Sequence, residues 1–220
     1  GLGIVHRDFK PANAVVGDGP RYRSWRWGAL CECFLLDCRA YRSANADPDG
    51  PAKTMLGDAQ RQWLIDGLRA STAAFRLVFT SVPLDFGVGT DHWAAFAVER
   101  DAILDALAAP AVPGLLFVAA DQHWFAAQRH RHGIREFQVG PLAHNLLEWP
   151  PLPTGVLARA SELNVGLIEI TPEPRLRFRA LGATGAVLYD ESFTPADLTP
   201  VTRPPDPRPQ PPPVAGVSPG

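Results

Sequence analysis

Long apolar runs are missing from this sequence. None approaches the roughly 18 to 20 consecutive apolar residues that a membrane-spanning helix requires, so no segment is expected to cross a bilayer. Charge of one sign is missing too: the formal net charge is -2, which leaves neither the basic footprint that nucleic acid demands nor a polybasic anchor. Cysteine is scarce, with Cys31, Cys33 and Cys38 confined to one strand-like stretch. Their spacing lacks the paired C-x-x-C knuckles of a structural zinc site, and an odd count without a signal-peptide pattern argues against a disulfide framework. Cys31 and Cys33 share a strand face and read as small buried hydrophobes. No internal repeat is visible.

What remains is an ordinary globular composition. With 220 residues, 46% hydrophobic and 20% charged, the chain has material for one substantial core with something appended. The most informative stretch is residues 115–124, LLFVAADQHW. An unbroken apolar run of this length, without alternation, predicts a strand buried on both faces. It ends in Asp121 and His123, a carboxylate and an imidazole one residue apart, at the carboxyl end of the strand where α/β sheets place their chemistry.

Upstream, residues 21–43 form an aromatic and basic alternation leading into a buried strand, which ends at Asp37, Arg39 and Tyr41. An amphipathic helix is expected over residues 57–70, with Ala59, Trp63, Leu64 and Leu68 inward and Gln60 elsewhere. A strand over 75–81, a helix over 96–109 and the central strand follow. Strand and helix in alternation build a parallel sheet with right-handed crossovers. One sheet edge then collects Asp37 and Tyr41, Ser81, and Asp121 and His123, together with the loop carrying Asp91 and His92. Downstream, a histidine-rich turn with His130 and His132 precedes a further strand, and residues 164–170, 176–181 and 186–191 read as a β-meander forming a second sheet. Residues 195–220 are Pro-rich and are expected to be a disordered or polyproline-type tail that could engage a partner.

The first residues carry a different signal. Residues 3–13, GIVHRDFKPAN, resemble the catalytic loop of a protein kinase, which would make Asp8 a base, Lys10 a phosphate contact and Asn13 a magnesium ligand. Asp85, Phe86 and Gly87 spell the kinase D-F-G triplet, yet more than seventy residues separate them from that loop. Residues 1–20 are therefore read as a kinase-like remnant and not a domain, and the kinase reading stands only as an alternative.

Across residues 21–194 the pieces YRSWRWG, FLLDCRAYRS, KTMLGDAQRQWL, TSVPL, DHW, VAADQHW and EFQVGPL occur in an order that resembles the carboxyl-terminal half of the PhoD-like alkaline phosphatases, within the metallophosphoesterase superfamily. The resemblance implies an α/β fold class: half of a two-sheet sandwich with flanking helices, followed by the Pro-rich tail. It implies metal-assisted hydrolysis of a phosphoester, with iron and calcium as cofactors and a periplasmic or extracellular setting. It carries a metal-ligand role to Asp121 and His123. It leaves Asp37, Arg39, Tyr41, Ser81, Asp91, His92 and His130 as supporting or substrate-facing candidates. In that reading Asp37 and Arg39 orient a loop, His92 is a surface residue, and His130 and His132 form a solvated turn. The family's remaining ligands lie in an amino-terminal half for which this sequence has no counterpart, so the chain is expected to hold part of an active site and to be inactive alone. A non-catalytic β-rich interaction module is the other alternative.

Overall fold

The computed structural model describes residues 3–6, 20–143 and 145–202. Among these lie eleven strands and two α-helices: β1 (Gly3–His6), β2 (Arg23–Trp27), β3 (Cys31–Leu35), α1 (Gly57–Ala70), β4 (Phe75–Thr80), α2 (Ala97–Ala108), β5 (Leu115–Ala119), β6 (Phe125–Arg129), β7 (Arg135–Gln138), β8 (Val156–Ala160), β9 (Asn164–Thr171), β10 (Arg175–Gly182) and β11 (Val187–Phe193). Seven strands form one sheet in the order β2-β3-β4-β5-β7-β6-β8, and four form a second in the order β1-β9-β10-β11. In the larger sheet β3, β4, β5 and β7 run parallel, while β2, β6 and β8 are antiparallel to their neighbours.

Two cores explain the pattern of the strands. Helices α1 and α2 pack Leu64, Leu68, Ile103 and Leu107 against Phe34, Val78, Leu115 and Phe117 on one face of the large sheet. On the other face Leu77, Leu116, Val118 and Phe137 meet Ile168, Phe178 and Phe193 of the small sheet. Successive residues of β5 therefore enter opposite cores, and this is why its sequence is apolar without alternation. Each such side chain contributes about 1.5 to 3 kcal/mol by leaving water. Between the sheets, Phe137 stacks on Phe178 with ring centroids 3.8 Å apart.

Some expectations need correction. Gln60, placed off the inner face of α1, is buried: its amide accepts from Asp37 N at 2.8 Å and donates to Asp37 O at 3.0 Å. A polar residue on the inner face is stable here because it satisfies the end of a strand. Glu99 in α2 is buried for the same kind of reason, accepting from Thr54 Oγ1 at 2.7 Å and Met55 N at 2.5 Å. The departure of the chain also shifts along the sequence. Residues 195–202 remain with the fold, with Leu198 buried in the intersheet core and its carbonyl accepting from Leu115 N at 3.0 Å. Residues 203–220 lie outside the described residues. At the other end, the backbone of β1 pairs antiparallel with β9, so the kinase-like stretch contributes a strand to the small sheet, whereas Asp8, Lys10 and Asn13 lie outside the described residues.

Candidate functional site

The site forms beyond the carboxyl ends of the parallel strands. After β5 the backbone turns sharply, with Gln122 N bonded to Ala120 O at 3.0 Å and Trp124 N bonded to Gln122 O at 2.9 Å. Asp121 adopts φ 75°, a left-handed conformation that L-residues other than Asn and Asp seldom take. Burial alternates through this turn: Gln122 and Trp124 are buried, and Asp121 and His123 are half-buried. Trp124 supplies the anchor, packing on Phe86 with centroids 5.2 Å apart. The buried Gln138 amide, oriented by its neighbours, accepts from Trp124 Nε1 at 2.8 Å and donates to Phe86 O at 3.0 Å. Gln122 adds a polar tie, donating to Asp121 Oδ2 at 3.2 Å and accepting from Val88 N at 2.9 Å. Two inward residues thus hold the two outward ones.

The His123 ring is fixed by the loop after β7, with Nδ1 2.5 Å from Asn145 O. A carbonyl oxygen only accepts, so Nδ1 carries the proton and Nε2 is the nitrogen suited to ligation. That loop also exposes Leu146, Leu147 and Trp149.

Beside Asp121 stands a guanidinium pair from the turn after β3. Arg39 Nη1 donates to Asp91 at 3.0 and 2.8 Å, Arg42 Nη1 donates to Asp91 Oδ1, and Arg39 Nη2 lies 4.0 Å from Asp121 Oδ1. Burial pushes the Asp91 carboxyl up, but the hydrogen bonds from Arg42 and Arg39 outweigh it and hold the group below its ordinary value. Arg39 therefore joins three segments: the β3 turn, the Asp91 loop and the Asp121 turn.

Other candidates take structural positions. Asp37 Oδ1 accepts from Arg39 N at 2.9 Å and Ala40 N at 3.0 Å, an Asx-type turn that sets the direction of the arginines. Asp37 Oδ2 and Ser81 Oγ are buried without hydrogen-bond partners among the described residues. Tyr41 is exposed, its ring edge-on to Tyr22 at 5.9 Å. Cys38, Thr80 and Trp93 interlock beneath: Trp93 Nε1 donates to Thr80 Oγ1 at 3.0 Å, and Cys38 Sγ lies 3.4 Å from the same oxygen.

The histidines correct the sequence reading most clearly. His92 is buried, and both ring nitrogens are engaged: Nδ1 accepts from Ala94 N at 3.4 Å, capping a short helical turn, and Nε2 donates to Gly89 O at 3.1 Å. Burial pushes its pKa down. It is a neutral cap and not a surface residue. The turn at His130 and His132 is only partly solvated: its backbone is half-exposed, but both imidazole rings are covered and paired. His130 Nε2 lies 2.8 Å from the buried Glu136 carboxylate, and His132, at φ 61°, folds Nε2 to 2.6 Å from Asp105 Oδ1. The D-F-G coincidence also finds a local explanation: Asp85 pairs with Arg100 at 3.7 Å, Phe86 packs on Trp124, and a Cβ on Gly87 would come within 2.9 Å of the His92 ring.

Among the described residues no three His, Cys, Asp or Glu side chains come together as a metal-binding group. Asp121 and His123 fit a cation in kind, a carboxylate with a pre-oriented imidazole, but not in number. Helices long and apolar enough to cross a membrane are also absent among the described residues.

The sequence profile described as PhoD-like phosphatase matches residues 6–190. This chain belongs to the PhoD-like phosphatase family. Alkaline phosphatase D of Bacillus subtilis (strain 168) is 26% identical to the PhoD-like chain over 121 residues, covering 46% of this chain and 21% of that protein. The chain thus spans about a fifth of the length of that relative. Among solved structures, PhoD superposes with a TM-score of 0.64 at 17% identity, covering 83% of this chain and 43% of PhoD. A purple acid phosphatase from yellow lupin seeds superposes with a TM-score of 0.59 at 12% identity, covering 86% of this chain and 36% of its own. GAP50 of Plasmodium does so with a TM-score of 0.53 at 12% identity, covering 79% and 53% of the two chains. These likenesses establish the mixed α/β two-sheet fold expected from the sequence. Arg42, Gln122 and the Asn145 carbonyl were not anticipated. The only visible signal for Arg42 is that it stands three residues after Arg39 in the same short bend after β3.

Proposed function

We propose that this PhoD-like chain is part of a metal-dependent phosphoester hydrolase, contributing Asp121 and His123 as metal ligands, and that it does not turn over substrate on its own. One observation carries the reading. In a chain of this family, the Asp-x-His turn at the end of the most buried strand keeps both donors outward and pins the imidazole through Nδ1 at 2.5 Å. Iron and calcium are the proposed metals. When bound, such cations lower the pKa of a coordinated water and neutralise charge on the phosphoryl oxygens. What the chain's own residues do is narrower. Asp121, set by its left-handed backbone and by Gln122, offers a carboxylate. His123, held by Asn145 O, offers Nε2, and Trp124 with Gln138 keeps the turn rigid beneath them. A cation of this kind takes roughly four to six donors or more, so further ligands must join this pair.

The test loads the full chain with iron and calcium, measures bound metal by elemental analysis after desalting, and assays a chromogenic phosphomonoester and a phosphodiester. Metal retention that drops more than about 10-fold in Asp121→Asn and in His123→Ala is expected, with no turnover above the metal-only blank. Metal content indifferent to Asp121 removes the ligand assignment. Robust turnover abolished by His123→Ala removes the claim that the chain is inactive alone.

A further inference from the structure

We infer that Arg39, braced by Asp91 and assisted by Arg42, is a phosphoryl-binding residue: an oxyanion seat next to the Asp121 and His123 pair. The inference takes its substrate class from the phosphoesterase reading above, while its geometry stands apart from it.

A guanidinium carries five N–H donors in a planar fork. Arg39 Nη1 is committed to the two oxygens of Asp91, at 3.0 and 2.8 Å. Its Nη2 stands 4.0 Å from Asp121 Oδ1, inside ion-pair range but beyond hydrogen-bonding distance. Neither Nη2 nor Nε has a hydrogen-bond acceptor among the described residues. With 38% of the side chain exposed, those donors are reachable from solvent. Arg42 brings a second guanidinium to the same carboxylate, its side chain 18% exposed. One carboxylate therefore braces two cations, and the second carboxylate that Arg39 faces, Asp121, stands too far off to take its Nη2 donors.

Placement argues for a purpose. If Arg39 served only to neutralise Asp121, a direct charged hydrogen bond near 2.8 Å would be about the expected distance. If Asp121 were only a metal ligand, a neighbouring cation would lower its affinity for metal. A guanidinium held back from Asp121, with its remaining donors open, suits a third group placed between them. A tetrahedral oxyanion with several oxygens can accept from a planar fork while its other oxygens meet an adjacent cation site, and in a chain of this family that oxyanion is the phosphoryl group of a phosphoester. Asp91 makes the arrangement stiff: it pins Nη1, so the fork does not need to be ordered when the anion arrives.

The experiment titrates the full chain with inorganic phosphate, with and without calcium, and separately titrates metal. The chains compared are the wild type, Arg39→Gln, Arg39→Lys and the control Arg177→Gln, a residue whose exposed pair with Asp190 lies on the small sheet. Phosphate affinity is expected to fall about 10-fold or more in Arg39→Gln and to an intermediate level in Arg39→Lys, because lysine keeps the charge but not the fork. Metal affinity should be unchanged or higher in Arg39→Gln, since a cation beside Asp121 has gone. No phosphate binding by the wild type, equal binding in Arg39→Gln, or a parallel fall in phosphate and metal affinity would each overturn the inference; the last is what a merely structural arginine gives. Should Arg39→Gln fail to fold, the intermediate loss in Arg39→Lys carries the same decision. Arg39-dependent phosphate binding without Asp121-dependent metal binding would support this seat and count against the metal reading, whereas the reverse outcome removes the seat alone.

Discussion

Glu136→Ala should be among the most damaging substitutions in this chain that touch no candidate ligand. The carboxylate on β7 is fully buried and accepts three hydrogen bonds: from Leu84 N at 2.9 Å, from Gln128 Nε2 at 3.0 Å and from His130 Nε2 at 2.8 Å. Truncation leaves three donors without an acceptor in a dry interior. Breaking a buried charged network of this kind costs about 3 to 5 kcal/mol, against a total stability of about 5 to 15 kcal/mol for a typical domain. Glu136→Gln keeps one acceptor oxygen but turns an NH2 toward donors, and should cost about 1 to 3 kcal/mol. Leu84 opens the loop that carries Asp91 and His92, so the loss also loosens the brace on Arg39. Urea unfolding followed by far-UV circular dichroism and tryptophan fluorescence measures both variants. With an m value of about 3 kcal/mol per molar, the midpoint should fall by more than about 1 M in Glu136→Ala and by less in Glu136→Gln. A loss below about 1 kcal/mol in Glu136→Ala would refute the network argument, and equal losses in the two variants would show that the acceptor oxygen is not what counts.

Two further predictions concern the loop beneath the site. His92 has its pKa lowered from an ordinary value of 6.5, so the unfolded chain takes up a proton before the folded one does. Its contribution to stability is full above that value and is lost as pH falls below it. His92→Asn retains a capping side chain without the titration. Its urea midpoint should vary less between pH 7 and pH 5 than that of the wild type, and equal slopes would count against the buried neutral cap. Gly87→Ala, whose Cβ would come within 2.9 Å of the His92 ring and 3.3 Å of Gln122, should cost about 1 to 3 kcal/mol through overpacking; a melting temperature equal to the wild type would show that the loop yields freely.

Periodicity sufficed wherever a residue's fate depended on the layer it occupies. The unbroken run of β5 announced burial on both faces, and Leu115 with Phe117 and Leu116 with Val118 do enter two different cores. Helix α1 spans the residues its pattern marks, Gly57–Ala70. The Asp-x-His spacing was enough to leave Asp121 and His123 on the outer side of one turn, because the residues between and after them are ones the interior accepts. What the pattern misjudged were polar side chains whose partners lie far along the chain. Gln60 is buried because Asp37, 23 residues away, ends a strand above it, and the imidazole rings of the histidine-rich turn are covered because Glu136 and Asp105 pair with them. Hydrophobic patterning is a local signal, since it reports which way a side chain faces. Charge pairing is a contact between distant segments, and nothing in the composition near Arg39 says that Asp91 will hold one face of its guanidinium while Asp121 stands 4.0 Å from another. The sequence by itself determined the layers, the family resemblance and the Asp-x-His spacing at the end of β5. Only the tertiary structure decided which carboxylates meet which cations, because that depends on where three loops end beyond one sheet.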